Sequence, residues 1–184
     1  ATSPILDAST NKRILIGRLA QMKEENALDA LNAAKKAWDK GQGVWPQMTA
    51  EKRIKAIENF VELLLLKRND IIEVLIWEIC KSSKDATAEF DRTIAYIKAT
   101  ICVITQLNST GWNNVSDITA KVRRAAVGVM LAVGPFNYPL NETYASLIPA
   151  LLAGNTVILK LPSVGGMAHI LAMEAFAATL PPGT

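Results

Sequence analysis

The sequence predicts an α/β protein in which a run of helices is followed by an extended β segment and then by a βαβα unit with parallel strands. Two changes of pattern carry this expectation. Up to about residue 107 apolar residues recur at helical spacing, and from Ile118 the period drops to two. Beyond that, two short apolar runs, Val127-Gly-Val-Met-Leu-Ala-Val133 and Thr156-Val-Ile-Leu-Lys160, enclose a helical stretch. A strand, a helix and a strand within about thirty residues form a unit whose two strands lie parallel.

The elements follow in order. Glu24 to Lys40 is read as an amphipathic helix with Leu28, Leu31 and Trp38 on one face, ended by Gly41, Gly43 and Pro46. Thr49 is the expected N-cap of a second helix to about Lys67, whose inner positions are Ile54, Ile57, Phe60, Val61 and Leu64. Asn69 or Asp70 caps a third helix through Cys80, and a fourth runs from about Ala86 to Leu107. Asn108-Ser-Thr-Gly-Trp-Asn-Asn114 is loop by composition. Ile118, Ala120 and Val122 alternate with Thr119, Lys121 and Arg123, as in a half-exposed strand. The run from Val127 to Val133 is expected to be a strand buried on both faces. Pro135 and Pro139 bracket a turn, Asn141 or Glu142 opens a helix closed by Gly154, and a last helix spans about Gly165 to Leu180. Three segments result, 1–107, 108–125 and 126–184. Two core strands are few for an open parallel sheet, so the chain reads as the opening of a larger α/β protein.

Bulk properties narrow the function classes. Of 184 residues half are apolar and a fifth are charged, the balance of an ordinary globular protein, and the net charge of +3 is far from a nucleic-acid-binding patch. No apolar run is long enough for a membrane span and no secretory signal is visible, so a cytoplasmic location is expected, with a plastid stroma as the alternative. Two widely spaced cysteines, Cys80 and Cys102, suggest no disulfide framework and are read as inert core thiols. His169 has no partner at ligand spacing, so no metal site is expected.

The chemistry concentrates in Gly134-Pro-Phe-Asn-Tyr-Pro-Leu140, at the carboxyl end of a buried strand, where open α/β sheets place ligands. The Asn137 amide can donate to a developing oxyanion; read locally, it is more simply a turn-former. Lys160 and Ser163, at the end of the second strand, can hold a phosphate or ribose, although Lys160 alone reads as a strand-end lysine reaching water. Arg92 suits a phosphate, or else is a surface charge paired within its helix.

Taken together, Val127-Gly-Val-Met-Leu-Ala-Val-Gly-Pro-Phe-Asn-Tyr-Pro139, Pro149-Ala-Leu-Leu-Ala-Gly-Asn155 and Val157-Ile-Leu-Lys160 resemble the aldehyde dehydrogenase superfamily. The likeness is strong from about Ile118 to Thr184 and looser through the helices before it. It implies an oxidoreductase in which a cysteine attacks the aldehyde, NAD(P) is reduced, and a glutamate-activated water hydrolyses the thioester. It implies that Asn137 belongs to the oxyanion hole and that Pro135, Phe136, Lys160 and Ser163 contact the cofactor. Ser163 stands where many NAD-preferring members carry an acid, so NADP is expected over NAD.

The Phe-Asn-Tyr-Pro turn and Glu89-Phe-Asp-Arg-Thr-Ile94 look most like the NADP-using, non-phosphorylating glyceraldehyde-3-phosphate branch. There, Arg92, Asn137 and Tyr138 would bind the substrate, and 3-phosphoglycerate would be the product. The three segments become the helical front of the cofactor-binding domain, a linker with the first strand of the oligomerisation arm, and an incomplete Rossmann-like unit. A homodimer or homotetramer is implied. The family's nucleophilic cysteine and general-base glutamate lie further along than Thr184, so the 184-residue stretch alone is expected to be inactive. Two other readings stay open: a non-catalytic homologue acting as a nucleotide-binding or subunit-interaction module, and another NADP-linked semialdehyde dehydrogenase.

Overall fold

The computed structural model describes residues 2–109, 111–121 and 123–184. Its helical part follows the apolar periodicity closely. Helix α1 spans Glu24–Trp38 and passes through a 3-10 turn, Asp39–Gly41, into the short α2, Val44–Gln47. Of the face expected for α1, Leu28 is exposed and it is Ala34 that is buried. Helix α1 ends ahead of Gly41, Gly43 and Pro46, as expected, but Pro46 then joins a second short helix. It sits in the first turn of α2, where its missing N–H costs nothing, and lets Trp45 bury and donate from Nε1 to the Leu151 carbonyl at 3.0 Å.

Helix α3, Ala50–Leu66, buries Ile57, Phe60, Val61 and Leu64, and the Thr49 hydroxyl accepts from the Lys52 N–H at 3.4 Å. Helix α4, Arg68–Ile79, starts earlier than its expected caps. Only Lys67 separates it from α3, so Asn69 and Asp70 lie inside its first turn, where an acid still suits the helix dipole. Helix α5, Ser83–Ser109, also begins early, because the Ser82 hydroxyl accepts the Asp85 N–H at 3.0 Å and donates to the Asp85 carboxylate at 2.7 Å.

An element not foreseen precedes these helices. Strands β1, Thr2–Leu6, and β2, Arg13–Leu15, pair antiparallel, with Thr2 opposite Leu15 and Leu6 opposite Arg13. Their turn is organised by Asp7, whose Oδ1 accepts from Ser9 N, Thr10 N and both hydroxyls. Those donors, the Ser9 hydroxyl foremost, hold the Asp7 carboxyl down at about 2.

The expected loop and half-exposed strand after α5 become a hairpin. Strand β3, Asn113–Val115, pairs antiparallel with β4, Ile118–Ala120, so Asn113 and Asn114 are strand rather than loop. Ser116, with φ of 53°, supplies the left-handed residue of the two-residue turn. The hairpin is exposed on both sides, not half-buried: every residue of both strands is exposed. Val122 lies outside the described residues.

Strands β5, Val129–Val133, and β6, Thr156–Lys160, are parallel with Val129 opposite Thr156 and Val133 opposite Lys160. They are joined by α6, Pro139–Leu152, and followed by α7, Met167–Thr179. Helix α6 starts at Pro139 rather than Asn141 because proline at the first helical position needs no N–H. Helix α7 starts at Met167, two residues later than expected, after Gly165 turns with φ of +90°. Asn155 fastens the unit: its amide donates to Ala150 and its Oδ1 accepts from Val127 N at 2.7 Å and Gly128 N at 3.0 Å. One expectation is corrected. Strand β5 is not buried on both faces; Ala132 points inward while Leu131 and Val133 are 64% and 58% exposed, because the helices cover only one side of it there. A single apolar cluster joins α2 to α7 with Ala132 of β5.

Candidate active site

The parallel register decides where the candidate residues fall. With Val133 opposite Lys160, the segments that follow both strands leave the sheet at the same edge. One carries Pro135, Phe136, Asn137 and Tyr138; the other carries Lys160 and Ser163. The two segments touch. A Cβ on Gly165 would lie 2.8 Å from Pro139 side-chain carbons and 3.4 Å from the Phe136 carbonyl, so only glycine admits this approach. A Cβ on Gly134 would likewise run into the Thr143 hydroxyl, which packs the turn onto the first turns of α6.

Phe136, Asn137, Tyr138, Lys160 and Ser163 are all exposed at this edge, and Pro135 is half-buried. Arg92 comes from α5. It lies one turn beyond Glu89, whose carboxylate reaches the start of α6, and one turn before Tyr96, whose hydroxyl donates to the Ala145 carbonyl at 3.1 Å. Arg92 therefore stands on the side of α5 that meets α6. It is exposed, and no hydrogen bond or ion pair engages it among the described residues. The neighbouring Asp91 pairs instead with Arg68, in a bidentate contact of 2.9 and 2.8 Å. The structure thus gathers the oxyanion and cofactor candidates at one edge and sets Arg92 on the adjoining helix.

Sequence reasoning passed over the residues that hold this edge together. Glu89 is buried, accepts through Oε1 from Leu140 N at 3.0 Å and Asn141 N at 3.2 Å, and pairs through Oε2 with Lys81. The Lys81 ammonium lies 3.8 Å from the centroid of the Tyr138 ring. Glu78, also buried, accepts the Met167 N–H at 3.0 Å and so caps α7 in the same way. The signal was present: Glu89 sits on the stripe formed by Ala86, Phe90, Thr93 and Ile97, where an apolar residue is expected. The two cysteines depart from expectation, being exposed rather than in the core. Among the described residues no group of three or more His, Cys, Asp or Glu side chains is placed to hold a metal ion.

Comparison with known proteins accords with this geometry. The model of the aldehyde dehydrogenase family matches residues 3–184, and the chain belongs to that family. The NADP-dependent glyceraldehyde-3-phosphate dehydrogenase of Streptococcus equinus is 34% identical over 175 residues, covering 91% of this chain and 36% of that protein. An N-succinylglutamate 5-semialdehyde dehydrogenase of Caulobacter sp. (strain K31) is 28% identical, over 95% of this chain and 35% of its own length. Among solved structures, the NADP-dependent glyceraldehyde-3-phosphate dehydrogenase of Bacillus halodurans C-125, complexed with NADP, superposes with a TM-score of 0.82. It is 27% identical and is matched over 99% of this chain and 38% of that one. The chain thus spans about a third of the length of the relatives it matches.

Proposed function

We propose that the protein carrying this chain oxidises an aldehyde with NADP, and that its substrate is glyceraldehyde 3-phosphate, converted to 3-phosphoglycerate. The observation that carries the proposal is Arg92, which no hydrogen bond or ion pair engages among the described residues, on the side of α5 that meets the helix opened by the Asn137–Tyr138 turn. A guanidinium without an internal partner suits a substrate phosphate, which a neutral aldehyde would leave without purpose. The Streptococcus and Bacillus relatives, both NADP-dependent glyceraldehyde-3-phosphate dehydrogenases, support the same substrate.

In this reading Asn137 donates its amide N–H to the oxygen that gains charge as the aldehyde carbon becomes tetrahedral. Tyr138 and Arg92 orient the substrate, and the nucleophilic thiol and general base come from residues other than those described here. Lys160 and Ser163 fit an NADP site, because a cation and a hydroxyl at the strand edge accept a 2′-phosphate that a carboxylate would repel. NADP, when bound, supplies the two-electron acceptor. The exposed β3–β4 hairpin serves as the first part of an oligomerisation arm in a homodimer or homotetramer.

The test is Arg92→Ala in the whole protein. KM for glyceraldehyde 3-phosphate should rise by about tenfold or more, the scale of a lost charge-assisted contact, while KM for an unphosphorylated aldehyde changes little. Equal effects on both substrates would remove the phosphate assignment and favour a semialdehyde substrate, which the Caulobacter relative's name suggests.

A further inference from the structure

We propose that Lys81 is a positioning residue for the substrate-binding turn, holding the Tyr138 ring in place from a seat fixed by the buried Glu89 carboxylate. This rests on the reading of that turn as the substrate site. Cys80 ends α4 with φ of 55°, and this left-handed step carries the chain away from the helix at Lys81. The Lys81 side chain does not run out to water, as a lysine at a helix end ordinarily does. Only 12% of it is exposed, its partner Glu89 is fully buried, and its ammonium meets the Tyr138 ring at 3.8 Å.

The Glu89 carboxylate divides its work. Oε1 takes the backbone of Leu140 and Asn141, while Oε2 takes Lys81. Asn137 and Tyr138 are thereby held from two sides, through the start of α6 and through the Tyr138 ring. Stability alone is a poor account of such a pair, since burying two charges costs about as much as their attraction returns and an apolar pair would serve equally. A cation set against an aromatic side chain that is itself 40% exposed fixes a side chain the core does not hold.

The experiment measures aldehyde KM, kcat and Tm in the whole protein for Lys81→Met, Lys81→Arg, the double variant Lys81→Met/Glu89→Gln, and Tyr138→Ala. Lys81→Met should raise aldehyde KM by about fivefold, the scale of one cation–π contact, with kcat changed far less. Lys81→Arg should restore KM, because a guanidinium can pair with Glu89 and stack on the ring. If Lys81→Met fails to fold, the double variant leaves no buried charge unpaired and should show the same rise in KM.

A purely structural pair would lower Tm and the active fraction and leave KM untouched; that result in the folded variant overturns the proposal. Tyr138→Ala separates the two levels. If it too leaves KM unchanged, the reading of the turn fails; if it raises KM and the Lys81 variants do not, only the role of Lys81 fails.

Discussion

At the scale of the residue, the edge of β5 and β6 shows how little local chemistry says until neighbours are known. Ser163 is exposed beyond β6 and has no carboxylate within three residues of it in sequence. Ser163→Glu in the whole protein should shift preference from NADP toward NAD by tenfold or more, roughly the effect of setting a carboxylate against a 2′-phosphate. Steady-state kinetics with both cofactors decide this, and unchanged selectivity would dismiss Ser163 as a determinant. Asn137 and Lys160 were legible as strand-end and turn positions from the apolar pattern, but their roles, and that of Arg92 within α5, came only with the family resemblance. Lys81 and Glu89 were not legible. Their importance depends on a pairing between α5, the start of α6 and the α4–α5 link, which no local period encodes.

At the scale of the element, helices were the most legible feature and their ends the least. The interiors of α3 and α5 are fixed by buried faces such as Ile57, Phe60, Val61 and Leu64, which repeat in the sequence itself. Starts shifted where a cap was overlooked, as with Ser82, or where a proline expected to bracket a turn instead opens the helix, as with Pro139, and the short α2 around Pro46 was not foreseen. The β1–β2 hairpin left no signal, because its strands are short, exposed and interrupted by Pro4. The β3–β4 hairpin exposes Trp112, Val115 and Ile118, each by two thirds or more. An exposed apolar edge of this kind invites pairing with another chain. Charging it with Val115→Asp/Ile118→Asp should therefore shift the whole protein toward smaller species in light scattering. Unchanged mass would show that assembly uses another surface.

At the scale of the whole molecule, one aromatic stack threads the core: Phe60 lies against Tyr144 and Phe176, and Tyr144 against His169 at 5.6 Å. Burial pushes His169 down to about 4 and outweighs the pull of the Pro139 carbonyl, which falls short of hydrogen-bond geometry. The folded state therefore holds the neutral ring while the unfolded chain takes up a proton below about 6.5. The stabilisation is present in full above that pH and is lost as pH falls through 4, by roughly 3 kcal/mol in all. Equilibrium unfolding of the protein and of His169→Leu from pH 7 to 4 should show a shallower decline in the variant. Parallel declines would assign acid sensitivity to other groups.

The capped starts of α6 and α7 bear on how any phosphorylated ligand is held. In many open α/β proteins an incoming phosphate seats on the free N–H groups at such a helix start, a rigid and weakly screened cradle. Here those groups are already spoken for, at Leu140 and Asn141 by Glu89 and at Met167 by Glu78. Under the proposed function, a phosphate near these two helix starts would be met by exposed cationic side chains, Lys160 and Arg92 among them, rather than by the N–H groups already taken. On that reading its grip would loosen as salt shortens the reach of those charges, and KM for a phosphorylated aldehyde should rise with ionic strength.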